Sequence, residues 1–300
     1  METRLTKRLY ALLKTMRPHQ WTKNAIIFAA LVFDVKLFSL TYTARAIAGF
    51  LLFCLISGVV YTINDLVDLE KDRQHPRKRN RPLASGALSP RLALGAVILI
   101  SALTLPAALA LDVTFALILL AYLVLQLAYS FILKHIVLID VLAIAAGFVL
   151  RVGAGVPLVH AQRFSPWLYI CTTLLALFLG LSKRRGELLS LAGDAGNHRP
   201  SLDAYTIPLL DQLIGMVTAS TILAYALYTF SAANLPVDHT MMLTIPFVLY
   251  GLFRYMYLVH AEHFTLAPDE VLLIDRPSQL NIVLWGLSVV LIMYLGQGSG

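Results

Sequence analysis

The sequence predicts an all-α integral membrane protein, and three observations lead to that fold class. Of the 300 residues, 58% are hydrophobic and only 14% are charged, whereas soluble domains carry roughly a quarter charged residues. The mean hydropathy is +0.74. The apolar residues are grouped in long runs, each near the ~20 residues that a helix needs to cross a bilayer. We therefore expect a bundle of membrane-spanning helices.

The chain is expected to divide into an N-terminal segment, residues 1–23, and a single transmembrane domain, residues 24–300. Within the first segment, residues 3–16 place basic and apolar side chains at helical spacing. This pattern predicts an amphipathic helix on an anionic membrane surface. Asp34 and Lys36 interrupt the first of the nine apolar spans that follow. These spans lie at about 24–40, 43–63, 92–111, 114–133, 136–157, 165–182, 206–230, 240–259 and 280–296.

The distribution of basic residues predicts the orientation of the bundle. With the N-terminus inside, the outer segments hold only Lys36, Arg45 and Arg163 of the 24 Lys and Arg residues, and Arg151 lies within a span. The positive-inside rule expects this asymmetry. We therefore predict a multi-pass protein of the cell (cytoplasmic) membrane whose polar site faces the cytoplasm. The main cytoplasmic loops would be residues 64–91, 183–205 and 260–279.

The segment from Asn64 to Gly86 is the most unusual polar stretch of the sequence. Asp65, Asp68 and Asp72 are spaced i, i+3 and i+7, which places them on one helical face together with Asn64. Carboxylates arranged in this way repel one another unless a cation offsets their charge, and Mg²⁺ prefers oxygen ligands. The spacing therefore fits a catalytic Mg²⁺ site formed by the three aspartates, and it fits a solvated acidic helix end equally well.

A dense basic cluster follows these acids within nine positions, namely Arg73, Arg77, Lys78, Arg79 and Arg81. Carboxylates for a metal ion followed by cations for phosphate form the arrangement that a magnesium-bound polyphosphate needs. A basic loop beside a membrane is also typical of an anchor to anionic lipid. We favour phosphate binding, which makes Arg73, Lys78, Arg79 and Arg81 candidate substrate ligands. His75 is interpreted as a substrate contact rather than as a base.

These motifs resemble the UbiA-type superfamily of membrane prenyltransferases. The resemblance rests on Asn-Asp-x-x-Asp-x-x-x-Asp at 64–72 and on Arg-Pro-Leu-Ala-Ser-Gly at 81–86. Further matches are the motif 17–24 before the first span, and Tyr129-Ser130 with Lys134 and Asp140 between spans four and five. The similarity extends over nearly the whole chain. It implies a helical bundle with a cytoplasm-facing polar site and Mg²⁺ as cofactor.

One departure from the superfamily pattern indicates a particular branch. Ordinary members carry a second aspartate-rich motif after the sixth span, where this chain has Ser-Lys-Arg-Arg-Gly-Glu at 182–187. With the basic loop and the tail from Asp269-Glu270 to Asp275-Arg276-Pro277, this is similar to the decaprenyl-phosphate phosphoribosyltransferase branch. That resemblance implies transfer of the 5-phosphoribosyl group from phosphoribosyl pyrophosphate (PRPP) to a polyprenyl (decaprenyl) phosphate. Pyrophosphate would be released, and the product would serve cell-envelope glycolipid synthesis.

The additional cations suit the additional phosphate groups of such substrates, because Arg binds phosphate oxygens bidentately. Glu187 could instead pair locally with Lys183, four residues earlier. Asp140 and Arg151 lie about three turns apart on one span, and both structural pairing and substrate contact are consistent with that spacing. Which cation meets which phosphate stays open. The candidate substrate-binding residues outside the basic loop are Lys23, Asn64, Tyr129, Lys134, Asp140, Lys183, Arg184 and Glu187.

Two other functions compete with this interpretation. An ordinary UbiA-type prenyltransferase would move a polyprenyl chain from its diphosphate to an aromatic acceptor, and the acidic motif fits that reaction too. A transporter would keep its polar groups near mid-membrane, whereas here they gather at the inner rim. The expected partners are PRPP, polyprenyl phosphate and the bilayer, without nucleic acid. Homo-oligomer formation is left open.

Overall fold

The computed structural model describes residues 4–76, 78–161, 165–191, 200–261 and 274–295. The described residues form helices joined by turns and short connections, as the all-α prediction requires. The α-helices are α1 (Arg4–Thr15), α2 (Ala29–Phe33), α3 (Leu40–Val67), α4 (Leu69–Gln74), α5 (Pro90–Leu111), α6 (Val113–Phe131), α7 (Ile139–Leu158), α8 (Pro166–Leu191), α9 (Pro200–Asp203), α10 (Ile207–Ser231), α11 (Ile245–Ala261) and α12 (Arg276–Leu295). Short 3₁₀ segments cover Pro18–Phe28, Lys78–Asn80, Leu133–His135 and Thr240–Thr244.

Eight helical segments in this part of the chain are long and apolar enough to cross a membrane. They match the second to ninth spans of the sequence analysis, so the membrane class is confirmed and the count of nine is not. The eight segments are Leu40–Val67, Pro90–Leu111, Val113–Phe131, Ile139–Leu158, Pro166–Leu189, Ile207–Ser231, Thr240–Val259 and Arg276–Leu295.

The first predicted span, 24–40, is divided instead of forming one long helix. It begins within the 3₁₀ segment Pro18–Phe28 and continues as the five-residue helix α2. Helix α2 ends at an ion pair between Asp34 and Lys36, whose charged atoms lie 2.6 Å apart, and at Val35, which has φ 52°. The 3₁₀ segment has eleven residues, which is unusually long because the hydrogen bonds of a 3₁₀ helix are poorly aligned. Helix α2 stops early because the charged residues Asp34 and Lys36 follow it directly.

The chain folds into two compact units. Unit 1 packs around a buried apolar core that includes Ile27, Phe53, Ile56, Phe115 and Leu119. A second apolar cluster joins α1 to the residues after the acidic motif, through Ala11, Leu83, Leu88 and Ala93. Helix α1 confirms the amphipathic helix expected at 3–16, which the sequence assigned to a membrane surface. Unit 1 consists of residues 1–31, 37–130 and 150–160.

Two glycines permit close backbone approach in unit 1. A Cβ atom on Gly155 would lie 2.1 Å from the carbonyl oxygen of Ile27, so only glycine allows the end of α7 to pack against the 3₁₀ segment. A Cβ atom on Gly58 would lie 2.5 Å from the Met16 side chain. These approaches hold the polar N-terminal segment against α3 and α7, which carry buried polar residues.

Unit 2 has its own apolar core, formed mainly by α8, α10 and α11. Phe178, Leu210 and Leu258 are buried in it, and the rings of Phe178 and Tyr255 lie 5.2 Å apart in an edge-on arrangement. Helix α8 continues to Leu191, beyond the expected end of its span at residue 182. The prediction that residue 183 begins a loop was therefore wrong. Unit 2 consists of residues 32–36, 131–149 and 161–300.

Candidate active site

The acidic motif of unit 1 forms a compact cluster with two arginines. Asp65, near the end of α3, is 2% exposed and accepts hydrogen bonds from Arg17 Nη2 at 2.5 Å and Arg81 Nη1 at 3.1 Å. Asp72 on α4 is equally buried and accepts from the same Arg81 Nη1 at 2.6 Å. One guanidinium nitrogen therefore bridges two buried carboxylates. We call Asp65, Asp72, Arg17 and Arg81 the acidic cluster.

Local backbone features bring the two arginines to the aspartates. Arg17 has a left-handed conformation, φ 53° and ψ 65°, directly before Pro18, and its guanidinium lies 4.9 Å from the centre of the Tyr61 ring. Arg81 begins a turn in which Ser85 N donates to the Arg81 carbonyl oxygen at 2.9 Å. The next residues are held by the burial of Leu83. Apolar anchoring on one side of the turn therefore leaves the Arg81 side chain directed to the acids.

The spacing of the three aspartates predicted that they share one face of a helix. In the structure that helix is interrupted. Asp68 has φ −88° and ψ 9° and forms the junction between α3 and α4. The backbone bonds from Asp68 N to Asn64 O and from Asp72 N to Asp68 O, 2.9 and 2.8 Å long, still continue the helical pattern across it. Asp65 and Asp72 consequently reach the same guanidinium, while Asp68 and Asn64 are half-buried.

The residues of the basic loop, which were predicted to bind phosphate, differ in their contacts. Arg73 pairs with Glu70, at 2.8 Å, on the exposed side of α4. His75 Nδ1 accepts from the backbone N–H of Lys78 at 3.3 Å, which fits a loop residue better than a base. Lys78 and Arg79 are exposed, and Arg77 lies outside the described residues. Among the described cations of this loop, Arg81 contacts Asp65 and Asp72.

The donor set of the acidic cluster is compatible with a hard divalent cation. Asp65 and Asp72 present carboxylate oxygens that already share one positive group, and Mg²⁺ commonly takes one or two carboxylates plus substrate phosphates. Among the described residues, no group of three His, Cys, Asp or Glu side chains is arranged as a complete metal-binding set. The residues thus fit a cation that completes its coordination with substrate and water.

A second polar group lies deeper in unit 1, around Arg151 of α7. Arg151 is 6% exposed; its Nε donates to Asn24 Oδ1 and its Nη2 to the Tyr122 hydroxyl, both at 2.8 Å. Asn24 also contacts Ser57 on α3. This network fixes the 3₁₀ segment that carries the half-buried Lys23. These contacts hold Arg151 through Asn24 and Tyr122, while Asp140, its suggested partner on the same span, pairs with Arg184.

The cationic motif of α8 forms a different kind of cluster in unit 2. Arg184 is fully buried; its Nε donates to Asp140 Oδ2 at 2.6 Å and its Nη1 to Glu187 Oε2 at 2.5 Å. The hydroxyl of Tyr205 donates to Asp140 Oδ1 at 2.8 Å and accepts from Leu138 N at 2.8 Å. Burial, together with the hydrogen bond to Asp140, raises the pKa of Tyr205 to about 12. We call Asp140, Arg184, Glu187 and Tyr205 the buried arginine cluster.

The remaining predicted ligands differ in burial and in their contacts. Lys183 is exposed, and Lys134 is half-buried, with its carbonyl oxygen accepting from Ser201 Oγ at 2.9 Å. Arg185 Nε donates to Asp211 Oδ1 at 2.5 Å. Tyr129, on α6 in unit 1, is half-buried. Glu187 pairs with Arg184, three residues away, in addition to any interaction with Lys183.

Sequence reasoning missed Arg17 and Tyr205, which complete the two clusters, and Asp211, which pairs with Arg185. Arg17 had a usable signal, because it is the first residue of the motif 17–24 that resembles the family pattern. The tail motif is only partly described: Asp269 and Glu270 lie outside the described residues. Asp275 accepts from Arg254 Nη2 at 2.8 Å and from Ser278 N at 3.0 Å. The bond to Arg254 is the main reason why the pKa of Asp275 falls to about 2.

Comparison with known proteins assigns this arrangement to a family. Residues 25–269 match the UbiA prenyltransferase family, so the chain belongs to the UbiA prenyltransferase family and is an enzyme of the transferase class. A UbiA homolog from Archaeoglobus fulgidus, solved with DMAPP and Mg²⁺, is similar in fold with a TM-score of 0.69 at 19% identity. That similarity covers 94% of this chain and 99% of the other. The resemblance read from the motifs is confirmed.

Curated relatives point to a narrower group within the family. The decaprenyl-phosphate phosphoribosyltransferase of Corynebacterium glutamicum is 32% identical over 292 residues, covering 95% of this chain and 87% of the relative. The enzyme of the same name from Mycobacterium tuberculosis is 29% identical over 276 residues, covering 91% and 90%. The chain thus spans nearly the full length of proteins that bear this name.

Proposed function

We propose that the protein transfers the 5-phosphoribosyl group of PRPP to a polyprenyl (decaprenyl) phosphate and releases pyrophosphate. The observation that carries the proposal is the similarity to curated decaprenyl-phosphate phosphoribosyltransferases along 95% of this chain. The geometry supports it, because the acidic cluster offers oxygen ligands and arginines at one place. The lipid product would be a precursor of cell-envelope glycolipids.

In this proposal Asp65, Asp72 and Asp68 would hold Mg²⁺ where the pyrophosphate of PRPP binds. The ion, when bound, would neutralise charge on the departing pyrophosphate oxygens, as metal ions do in phosphate chemistry. Asn64 lies one residue before Asp65 and would orient the carboxylates or a water molecule beside them. Arg81 would add directed hydrogen bonds to phosphate oxygens, which its planar guanidinium is suited to donate.

The reaction itself is a displacement at C1 of the ribose. The bond from C1 to the pyrophosphate oxygen breaks, and its electron pair leaves with pyrophosphate. An oxygen of the lipid phosphate forms the new bond at C1 from the opposite face, through a transition state with oxocarbenium character. Because that phosphate is already ionised near neutral pH, no strong general base is needed. The position of His75, bonded to a loop N–H, agrees with this requirement.

The exposed and half-buried cations are assigned to the other phosphates, that is, the 5-phosphate of PRPP and the lipid phosphate. Lys183 is exposed, while Lys23 and Lys134 are half-buried; Arg73, Lys78 and Arg79 are exposed on the loop after the acids. Arg184 is reassigned from substrate ligand to positioning residue, because it is fully buried between Asp140 and Glu187. Tyr129 remains a candidate contact.

The cellular setting follows from the charge distribution. We place the protein in the cytoplasmic membrane with its N-terminus and acidic cluster on the cytoplasmic side, because the basic residues concentrate in the segments adjoining that cluster. PRPP would then arrive from the cytoplasm and polyprenyl phosphate from the bilayer. Tagging of the two termini and accessibility labelling of single cysteines would test this orientation.

The proposal is tested with purified, detergent-solubilised protein, Mg²⁺, polyprenyl phosphate and PRPP, with the lipid product identified by mass spectrometry. A parallel reaction contains a prenyl diphosphate and an aromatic acid. We expect a phosphoribosylated lipid that disappears on chelation and in the Asp68→Asn variant. Prenylated aromatic product alone would refute the proposal and leave an ordinary prenyltransferase of the same family.

A further inference from the structure

The acidic cluster contains two kinds of charged group that differ in their freedom to move. The carboxylates of Asp65 and Asp72 are 2% and 3% exposed, whereas the side chains of Arg17 and Arg81 are 26% and 29% exposed. A buried carboxylate cannot be left without a counter-charge except at high cost. A partly exposed guanidinium can turn toward solvent or toward a bound anion. The arginines are therefore the exchangeable members of the cluster.

We propose that Arg17 and Arg81 compete with the divalent cation for the carboxylates of Asp65 and Asp72, and that cation binding redirects them to the diphosphate of the substrate. This inference rests on the proposed metal site. It assigns Arg17 a role in binding the diphosphate that its place before the first span did not suggest. The charged groups of the cluster would then exchange partners. The carboxylates, which pair with guanidinium groups, would bind the metal ion, and the guanidinium groups would bind phosphate oxygens.

The contacts explain why the exchange would be obligatory. Arg17 Nη2 and Arg81 Nη1 both contact Asp65 Oδ1, and Arg81 Nη1 also contacts Asp72 Oδ2. A divalent cation at these oxygens would stand next to two positive groups, and like charges at this distance repel strongly. At least one guanidinium must leave for the cation to bind well. Each displaced guanidinium has a fork of N–H donors that matches phosphate oxygens.

Two features make Arg17 the more readily displaced of the two arginines. Within the cluster it contacts Asp65, whereas Arg81 contacts both Asp65 and Asp72, so the Arg17 contact is lost when the metal takes Asp65. Its guanidinium also lies over the Tyr61 ring, at 4.9 Å, which offers a second favourable surface when the carboxylate contact is lost. Arg81, in contrast, retains a second carboxylate partner when either one is taken by the metal.

The consequence is a coupling between cation and anion binding. A cation alone must displace a guanidinium and therefore binds weakly. An anion that accepts the displaced guanidinium removes that penalty and strengthens cation binding, and the cation must strengthen anion binding by the same factor. Such coupling would favour binding of the complete magnesium–diphosphate unit over either component alone.

The test measures Mn²⁺ binding to the full-length protein in detergent by electron paramagnetic resonance of the free ion. We expect the Arg17→Gln variant to bind Mn²⁺ about tenfold more tightly than the wild type, because a competing cation has been removed. A residue with a purely structural role would leave the affinity unchanged or weaken it on substitution. Unchanged or weaker Mn²⁺ binding in Arg17→Gln would overturn the inference.

The matched control is Arg45→Gln. Arg45 lies at the other end of α3, its side chain is also 26% exposed, and it pairs with Asp112 at 3.8 Å. The two variants remove the same charge from equally exposed sites. We expect Mn²⁺ affinity in Arg45→Gln to stay within about twofold of the wild type. Arg45 and Asp65 are 20 residues apart on α3, roughly 30 Å at the rise of an α-helix, which is about three Debye lengths at physiological ionic strength. If both variants bound Mn²⁺ equally more tightly than the wild type, the change in net charge alone would explain the effect, and the inference would be overturned.

A measurement on the wild type keeps the inference testable even where Arg17→Gln fails to fold. Inorganic phosphate, which binds Mn²⁺ only weakly in solution, is added during the titration. We expect it to tighten Mn²⁺ binding about fivefold or more in the wild type, and clearly less in Arg17→Gln. Independent binding of the two ions to the wild type would contradict the exchange.

Failure of this inference and failure of the proposed function give different results. If the protein makes the phosphoribosylated lipid but Arg17→Gln does not change Mn²⁺ binding, the exchange of partners is refuted and the proposed function stands. Exchange behaviour together with a prenylated aromatic product would support the exchange and sink the function, because both donors carry a diphosphate. Absence of Mn²⁺ binding and of both products would refute the two together.

Discussion

The two acid–arginine clusters of this protein combine arginines with buried aspartates but differ in how far their arginines are exposed. In the acidic cluster of unit 1 the carboxylates are buried, and the arginines keep about a quarter of their surface exposed. In the buried arginine cluster of unit 2 the arginine is completely enclosed, and Glu187 is the exposed member at 30%. Judged only by their basic residues, both clusters would be predicted to bind phosphate.

The difference separates groups that can exchange partners from groups that cannot. Arg17 and Arg81 can leave their carboxylates for solvent or substrate, because water already reaches them. Arg184 would lose Asp140, itself fully buried, and both charges would then be unsolvated in a region of low dielectric. The first cluster is therefore suited to binding and release, and the second to fixing α8 against α7 and the Tyr205 loop within unit 2.

The largest expected effect is on the stability of the buried arginine cluster. Arg184→Gln leaves the Asp140 carboxylate buried and without its ion-pair partner, so we expect a loss of about 3–5 kcal/mol. Thermal unfolding in detergent, followed by the fluorescence of a thiol-reactive dye, would detect it. Adding Asp140→Asn to the same chain should restore part of the loss, because the uncompensated charge is then removed.

The neighbouring residue provides the control for this effect. Arg185 pairs with Asp211, whose side chain is 35% exposed and can be solvated when its partner is removed. Arg185→Gln should therefore cost clearly less than Arg184→Gln. If the two variants lost the same free energy of unfolding, burial of the carboxylate partner would not determine the cost of losing the arginine. That result would contradict the prediction.

Substitutions in the acidic cluster should lower enzymatic activity more than they lower stability. Asp65→Asn removes one charge of the proposed metal site while keeping the shape of the side chain. We expect phosphoribosyl transfer to fall by about 10²–10³-fold, with little change in melting temperature because Arg17 and Arg81 can turn to solvent. Product formation under saturating Mg²⁺ would be measured by mass spectrometry.

Asp112→Asn serves as the control for that loss. Asp112 pairs with Arg45 at the other end of α3 and is 19% exposed. It has no place in the proposed reaction, so transfer should continue at nearly the wild-type rate. A similar loss of activity in both variants would indicate a general effect on folding in place of a loss of the metal site.

The smallest effect should come from Tyr205. Tyr205→Phe removes a hydroxyl that donates to Asp140 and accepts from Leu138 N, and we expect it to cost about 1–2 kcal/mol. Because the pKa of Tyr205 is raised to about 12, the neutral phenol is favoured in the folded state. Its stabilisation is fully present below about pH 10 and is lost as the pH rises through about 12.

The pH dependence gives this prediction a specific readout. The difference in melting temperature between wild type and Tyr205→Phe should be constant up to about pH 10 and should narrow above it. All other tyrosines are shared by the two proteins and cancel in the difference. A difference that stays constant to pH 12 would show that the hydroxyl does not act through its hydrogen bond to Asp140.

The sequence predicted the fold class and most of the spanning helices, because both follow from local composition. Runs of apolar residues such as 43–63 and 114–133 satisfy the bilayer requirement by themselves. It also predicted Asp65, Asp72 and Arg81 as site residues, and the structure brings these three into contact; their residue types and spacing are visible in one short segment. It failed at residue 183, because Arg184 and Arg185 of α8 pair with Asp140 and Asp211, which are far away in the chain. At the first span the interrupting charges Asp34 and Lys36 were visible, but the sequence did not show that the helix would be divided there.

What the sequence by itself determined is therefore the membrane class, the family and the location of the acidic motif. What only the tertiary structure decided is which charges are exchangeable. Arg17 lies 48 residues from Asp65 and Arg184 lies 44 residues from Asp140, so no local pattern could join either pair. Burial, which sets the cost of separating two charges, is a property of the packed helices. It made one arginine a mobile counter-ion and the other a fixed one.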